Sequence, residues 1–189
     1  MLGGFLALLA AATFGLNAVA TRRGVLTGTV AQGLAITIPI AVPIFFVVGL
    51  TTDSLGILSE LPVKSLLLLG IAGVTHFIVG RYANYRATKA MGANLVGPVV
   101  SSSLVLTLIL AIIFLDEVMT PLRVVGIVLI ALGPTLMLRS PAIARKTQQS
   151  VNKIAFTPRL IEGYAFGIIC AIAFGTTPIF IRSAFLQLG

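Results

Sequence analysis

The sequence predicts an all-α integral membrane protein: six transmembrane helices, five forming one inverted-repeat unit and the sixth opening a second, incomplete unit. Three observations predict it. The 189 residues are 58% apolar and only 10% charged, with no Trp and a mean hydropathy of +1.11, which is more apolar surface than a water-soluble globule can cover. The few charges fall between long uncharged runs. A motif near the start also returns near the end at a constant offset of 160: Ala11-Ala12-Thr13-Phe14-Gly15 leads to Arg22, and Ala171-Ile172-Ala173-Phe174-Gly175 leads to Arg182. Gly3 likewise matches Gly163. Five spans before the restart is an odd number, so the second copy enters the membrane upside down.

The runs justify the helices in order. They are Met1–Thr21, Gly24–Thr52, Ser65–Gly80, Ala90–Leu115, Val124–Arg139 and Gly163–Ile181. A helix needs roughly 20 residues to cross ~30 Å of hydrocarbon. The third and fifth are short unless Lys64, Arg81, Arg123 and Arg139 snorkel to the headgroups. The ten-residue alternating segments of a β-barrel do not occur. The first run lacks a basic leader, and Arg22 and Arg23 follow it, so it does not read as a cleaved signal peptide. Cys170, the one cysteine, has no intrachain disulfide partner.

Charge sets the expected topology. Ten of the 13 basic residues lie in loops one, three and five: Arg22 and Arg23; Arg81, Arg86 and Lys89; and Arg139, Arg145, Lys146, Lys153 and Arg159. Loops two and four hold Lys64 and Arg123 with Asp53, Glu60, Asp116 and Glu117. Positive loops stay inside, so the linker is expected in the cytoplasm and the N-terminus outside a multi-pass cytoplasmic-membrane protein. Residues 1–139 are expected to form the first repeat, 140–160 a basic linker, and 161–189 the first helix of the second repeat. The sequence stops at Gly189, so most of that second repeat is expected to be absent. The net charge of +8 suits anionic lipid headgroups, with no nucleic-acid partner.

The middle of the chain carries more specific motifs. Ala83-Asn84-Tyr85-Arg86-Ala87-Thr88-Lys89-Ala90 is followed by Pro98, then by Leu115-Asp116-Glu117-Val118-Met119-Thr120-Pro121 and Gly126-Ile127-Val128-Leu129-Ile130-Ala131-Leu132-Gly133. This segment resembles the end of an EamA-type domain of the drug/metabolite transporter superfamily. That domain carries an A-L-x-Y-x-x-A turn, a proline in its fourth helix, an L-G-E-x-x-T junction and a G-x-x-L-I-x-x-G fifth helix. Asn84 stands in the Leu position and Asp116 replaces the junction Gly, while Glu117, Thr120, Gly126 and Gly133 keep their spacing. The resemblance covers about Gly4–Leu138 and the first helix of a second domain. It implies a ten-helix transporter of two five-helix repeats that exports small metabolites.

Glu117 is the obvious acidic candidate. It ends the fourth helix just before Thr120 and Pro121, an N-cap followed by an N1 proline, so it reads as a structural junction at a helix N-terminus. A coupling-ion role is the sharper alternative. The uncharged polar set is more informative. Asn17 lies five residues before Arg22, His76 five before Arg81 and Asn94 five after Lys89, which puts each about 7–8 Å inside the basic face. Gln32, nine residues past Arg23, should lie about 13 Å deep. Ser101, Ser102 and Ser103 continue this line, and Tyr82 stands at the cavity mouth or in an interfacial belt. Polar groups at membrane depth turn toward a neighbour or a watered cavity. One interhelical hydrogen bond averages only about 0.6 kcal/mol, so each amide alone can be simple glue; convergence favours a substrate site.

His76 is expected to be neutral and hydrogen-bonding, with a proton relay as the alternative, since burial disfavours the charged form and no carboxylate in the inner half is placed to restore it. One His and one Cys on different helices make no metal site, and no cofactor is expected. Pro98, preceded by Gly97, is the expected hinge; the spacings Gly3-Ala7-Ala11-Gly15, Gly24/Gly28 and Gly163/Gly167 are expected to mark close helix contacts.

These residues predict a secondary transporter of amino acids or similar polar solutes. Its partners would be membrane lipid and a small-molecule substrate. A lipid or lipid-linked-sugar flippase and a non-transporting scaffold subunit are the alternatives. If the chain ends at Gly189, a homodimer or a partner chain would complete the cavity. No phosphate-binding loop of the ATPase type is present, and no nucleophile–base pair suggests an enzyme.

Overall fold

A computed structural model describes residues 2–52, 55–56, 61–115, 120–121, 124–129, 132 and 158–188, and no strand occurs among them. Five of the described helices are long and apolar enough to cross a membrane. They are α1 (Leu2–Thr27), α2 (Val30–Thr51), α3 (Val63–Met91), α4 (Ala93–Leu115) and α5 (Leu160–Phe185), the last closed by a single 3₁₀ turn, Leu186–Leu188. The predicted fifth run is described only in part. Thr120 is non-helical, Pro121 is helical, and the Val124 N–H donates to the Thr120 carbonyl at 3.2 Å, as a helix opening there requires. Glu117 and the linker residues 140–157 lie outside the described residues.

The third helix corrects the sequence reading. It does not stop at Gly80 but runs on through the three cations assigned to loop three. Residues Arg81–Met91 contain no Pro or Gly and form an amphipathic helix. Ala83, Tyr85, Ala87, Thr88, Ala90 and Met91 are buried, while the cations lie between them. At 1.5 Å per residue its 29 residues span about 43 Å, well beyond ~30 Å of hydrocarbon. The reversal into α4 is confined to Gly92, whose φ of 88° and ψ of 154° are available essentially to glycine alone.

Helices α3, α4 and α5 form the core. The Ser65 hydroxyl donates to the Ala184 carbonyl at one end, and the Arg159 N–H donates to the Ala90 carbonyl at the other, so α3 and α5 are antiparallel along their length. Helices α4 and α5 run parallel. A Cβ on Gly167 would meet Val99 Cγ1 at 2.9 Å, one on Gly175 would meet Ser103 O at 3.0 Å, and Thr107 Oγ1 donates to Gly175 O at 2.9 Å. Gly163 sits equally tight on Met91. The predicted close contact at Gly163 and Gly167 is therefore present, and it is α5 that inserts between α3 and α4.

The α1–α2 hairpin joins this core only around its connecting turn. Val25 and Val30 bury against Tyr85, with Leu34 alongside, and the Tyr85 hydroxyl reaches Thr37 Oγ1 at 3.3 Å. Arg22 donates to the Thr88 carbonyl at 3.0 Å, and Lys89 donates to the Gly28 carbonyl at 2.9 Å. Residues 3–20 of α1 are exposed throughout, and Gly3 and Gly15 have no neighbour against them. The repeated motif is thus packed in its second copy and bare in its first.

Candidate functional site

The regular α-helix of α3 gives way to a wider π-helical turn over Val74–Gly80. The Arg81 N–H, instead of bonding only within an α-helical spacing, reaches the His76 carbonyl five residues back. Such turns insert an extra residue into a helix and occur disproportionately at functional sites. This one carries the chain's only histidine.

His76 lies face to face on Phe174 of α5, with centroids 4.5 Å apart and planes 25° from parallel. Phe77 meets the imidazole edge at 5.0 Å and 71°. Gly80 makes room for this arrangement, because a Cβ there would fall on the Phe174 ring. His76 Nδ1 is buried and has no hydrogen-bond partner among the described residues. A buried polar nitrogen left unpaired is costly, and cores keep few of them without a purpose.

The distance of His76 from the basic end can be counted from an ionic clamp there. Glu162, in the first turn of α5, pairs with Arg86 at 2.5 Å and with Arg159 at 2.8 Å. Its carboxylate also answers the positive end of the α5 dipole. His76 lies ten residues before Arg86, and Phe174 twelve after Glu162, so both sit about 15–18 Å from that clamp.

The other predicted residues are not gathered around this ring. Asn17 is exposed on the bare stretch of α1. Gln32 is not deep in its helix. Its carboxamide oxygen accepts from the Thr29 N–H at 2.8 Å while Thr29 Oγ1 accepts from the Gln32 N–H at 3.1 Å, a capping box that fixes Gln32 in the first turn of α2. The short turn after Thr27 returns the chain at once, which is why counting from Arg23 overstated its depth. Asn94 is exposed in the first turn of α4, and Tyr82 is exposed with its ring centroid 6.0 Å from that of Phe166. Ser101 is half-buried, and the Ser102 hydroxyl bonds its own helix at Val99 O, 2.6 Å away. Ser103 is buried between α4 and α5. Pro98 lies inside continuous α4 and cannot donate to the carbonyl of Asn94.

Sequence reasoning missed Phe174, Phe77 and the Arg86–Glu162 pair. Phe174 was signalled, since it is the aromatic of the repeated motif at offset 160 from Phe14. The Arg86–Glu162 pair depends on the helix that ran past its expected end. Thr177, the counterpart of Asn17, is buried and donates to the Ala173 carbonyl at 2.8 Å.

A family model for the EamA-like transporter family matches residues 1–139, which include the whole Ala83–Gly133 segment. The chain belongs to this family. As an EamA-like protein it is a multi-pass membrane transporter of the drug/metabolite transporter superfamily. No curated protein and no solved structure matches it. In EamA-like terms, helices α1–α4 and residues 124–129 fall within the matched domain, and α5 lies beyond it.

Proposed function

We propose that this EamA-like protein is a secondary transporter that exports amino acids or similar polar metabolites across the cytoplasmic membrane by alternating access. One observation carries the reading: an unpaired imidazole nitrogen, about 15 Å along α3 from the Arg86–Glu162 pair, on a broken turn of that helix and against an aromatic ring of α5. Transporter sites typically lie near the midplane on interrupted helices, where a solute can replace the missing hydrogen-bond partner. Two helices with opposite directions meet there, so a change in their packing exposes the site to one side or the other. Pro98 in α4 serves as the hinge, and Asn94, Ser101 and Tyr82 belong to the approach from the basic end. Asn17 and Gln32 would take part only if the α1–α2 hairpin closes on the core.

The test is counterflow in proteoliposomes preloaded with each of a panel of unlabelled amino acids. Transient accumulation of at least one labelled amino acid, without ATP, is expected; no accumulation with any of them sinks the reading. The ends of α1, α3 and the start of α5 share one face of the bundle, held by Arg22, Lys89 and the Glu162 pairs. We place that face in the cytoplasm. A phosphatase reporter fused after Arg159 should be silent, and an active one would invert the topology.

A further inference from the structure

We propose that Arg81, Phe77 and His76 form an anion-recognition face, and that the solute taken up there is an organic carboxylate with a flat apolar part. This rests on reading His76 as the substrate site. The three side chains are consecutive links of one wall. The Arg81 guanidinium lies 5.2 Å over the Phe77 ring, Phe77 lies edge-on to His76 at 5.0 Å, and His76 stacks on Phe174.

Charge is distributed unevenly around this wall. Glu162 is the only acidic side chain among the described residues, and its two oxygens are taken by Arg86 and Arg159. Two further cations of that end are also committed to the fold, Arg22 to the Thr88 carbonyl and Lys89 to the Gly28 carbonyl, while Arg23 is exposed. Arg81 faces an aromatic ring, with no carboxylate among the described residues to neutralise it. It lies five residues inside the Arg86–Glu162 level, about 7–8 Å toward the bilayer centre. A cation held at membrane depth costs a few kcal/mol, and such residues ordinarily mark a solute or ion path.

The chemistry of the wall selects the solute. A guanidinium presents a planar fork of N–H donors that matches a carboxylate with two parallel hydrogen bonds. Phe77, His76 and Phe174 supply flat surfaces one side chain deeper, suited to an unsaturated or aromatic body. A cationic solute would meet Arg81 first and find no acid beyond it. An arginine that merely snorkels to headgroups would show no preference between small solutes of opposite charge.

Cys170 makes the test direct, because it is the only cysteine and is fully buried in α5, so a thiol-reactive dye reports unfolding. The 189-residue chain in detergent is heated with benzoate or with benzylamine, which share a ring and differ in charge. Benzoate should raise the unfolding midpoint by several degrees and benzylamine should not, since a ligand stabilises the state it binds. Arg81→Gln should remove the benzoate shift, and Arg81→Lys should keep part of it at an unchanged unliganded midpoint. A midpoint raised by benzylamine and lost in His76→Ala would overturn the anion assignment while leaving the His76 site standing. A shift from neither compound overturns the assignment, and counterflow then judges the site separately. Arg81-dependent stabilisation by added phosphatidylglycerol, without one by benzoate, would make Arg81 a lipid anchor and overturn it as well.

Discussion

Replacing His76 with alanine should reduce counterflow at least tenfold while leaving the amount of folded protein in the membrane unchanged. The separation of the two effects is the informative part. Nδ1 makes no hydrogen bond to the described residues, so truncation leaves no protein group newly orphaned by its loss. What the fold gives up is stacking on Phe174 and the edge contact with Phe77, each on the order of 0.5–1.5 kcal/mol beyond area burial. A solute that hydrogen-bonds the imidazole loses that bond. A hydrogen bond to a charged group is worth about 1.5–3 kcal/mol, and every 1.4 kcal/mol is a factor of about ten. Flux and abundance should therefore diverge. Wild-type flux in the His76→Ala protein would remove the imidazole from the site, and a parallel fall in both would make it a packing residue.

The second large effect is expected at Gly80. Gly80→Leu should lower the unfolding midpoint and the counterflow rate together. Its backbone lies so close to α5 that even a Cβ would occupy space held by the Phe174 ring. Forcing extra carbon into a filled contact typically costs about 1–3 kcal/mol. The ring cannot yield without leaving His76, so the same substitution that strains the helix contact also dismantles the aromatic wall. The double variant Gly80→Leu/Phe174→Ala should recover much of the midpoint but not the flux. Strict additivity of the two stability losses would show that the Gly80–Phe174 contact does not couple the helices.

The two variants also separate what sequence could and could not disclose. Apolar run length found the membrane helices, because hydrocarbon residence is a property of composition. Gly163 and Gly167 were legible as a close contact, since small side chains are what let two helix backbones approach. Thr120 and Pro121 were legible as a helix opening because capping is local chemistry. The end of α3 was not. Arg81, Arg86 and Lys89 looked like a loop by charge, yet Ala83, Ala87 and Ala90 keep a small buried face that lets the helix continue along α5.

Orientation was illegible for a different reason. Gly3 and Gly163 head the same repeated motif, and one is against Met91 while the other touches nothing. Only the neighbouring helices decide that, and neighbours are not written in a segment's own residues. Gln32 shows the same point on a smaller scale. Its polarity was visible, but the two-residue turn that put it beside Thr29 turned a presumed ligand group into a cap.

The wide turn of α3 has a mechanical meaning as well as a chemical one. It holds one residue more than an α-helical path would need, and one α-helical residue is worth about 100° of rotation. The two arms of α3 are fastened independently to opposite ends of α5, through Ser65 to Ala184 and through Ala90 to Arg159. Migration of the extra residue along the helix would therefore twist the stretch between these fasteners without loosening either. His76 and Arg81 lie within that stretch or at its border. A turn that migrated in this way would act as a swivel, re-aiming both side chains as a unit while the ends of the helix stay where they are.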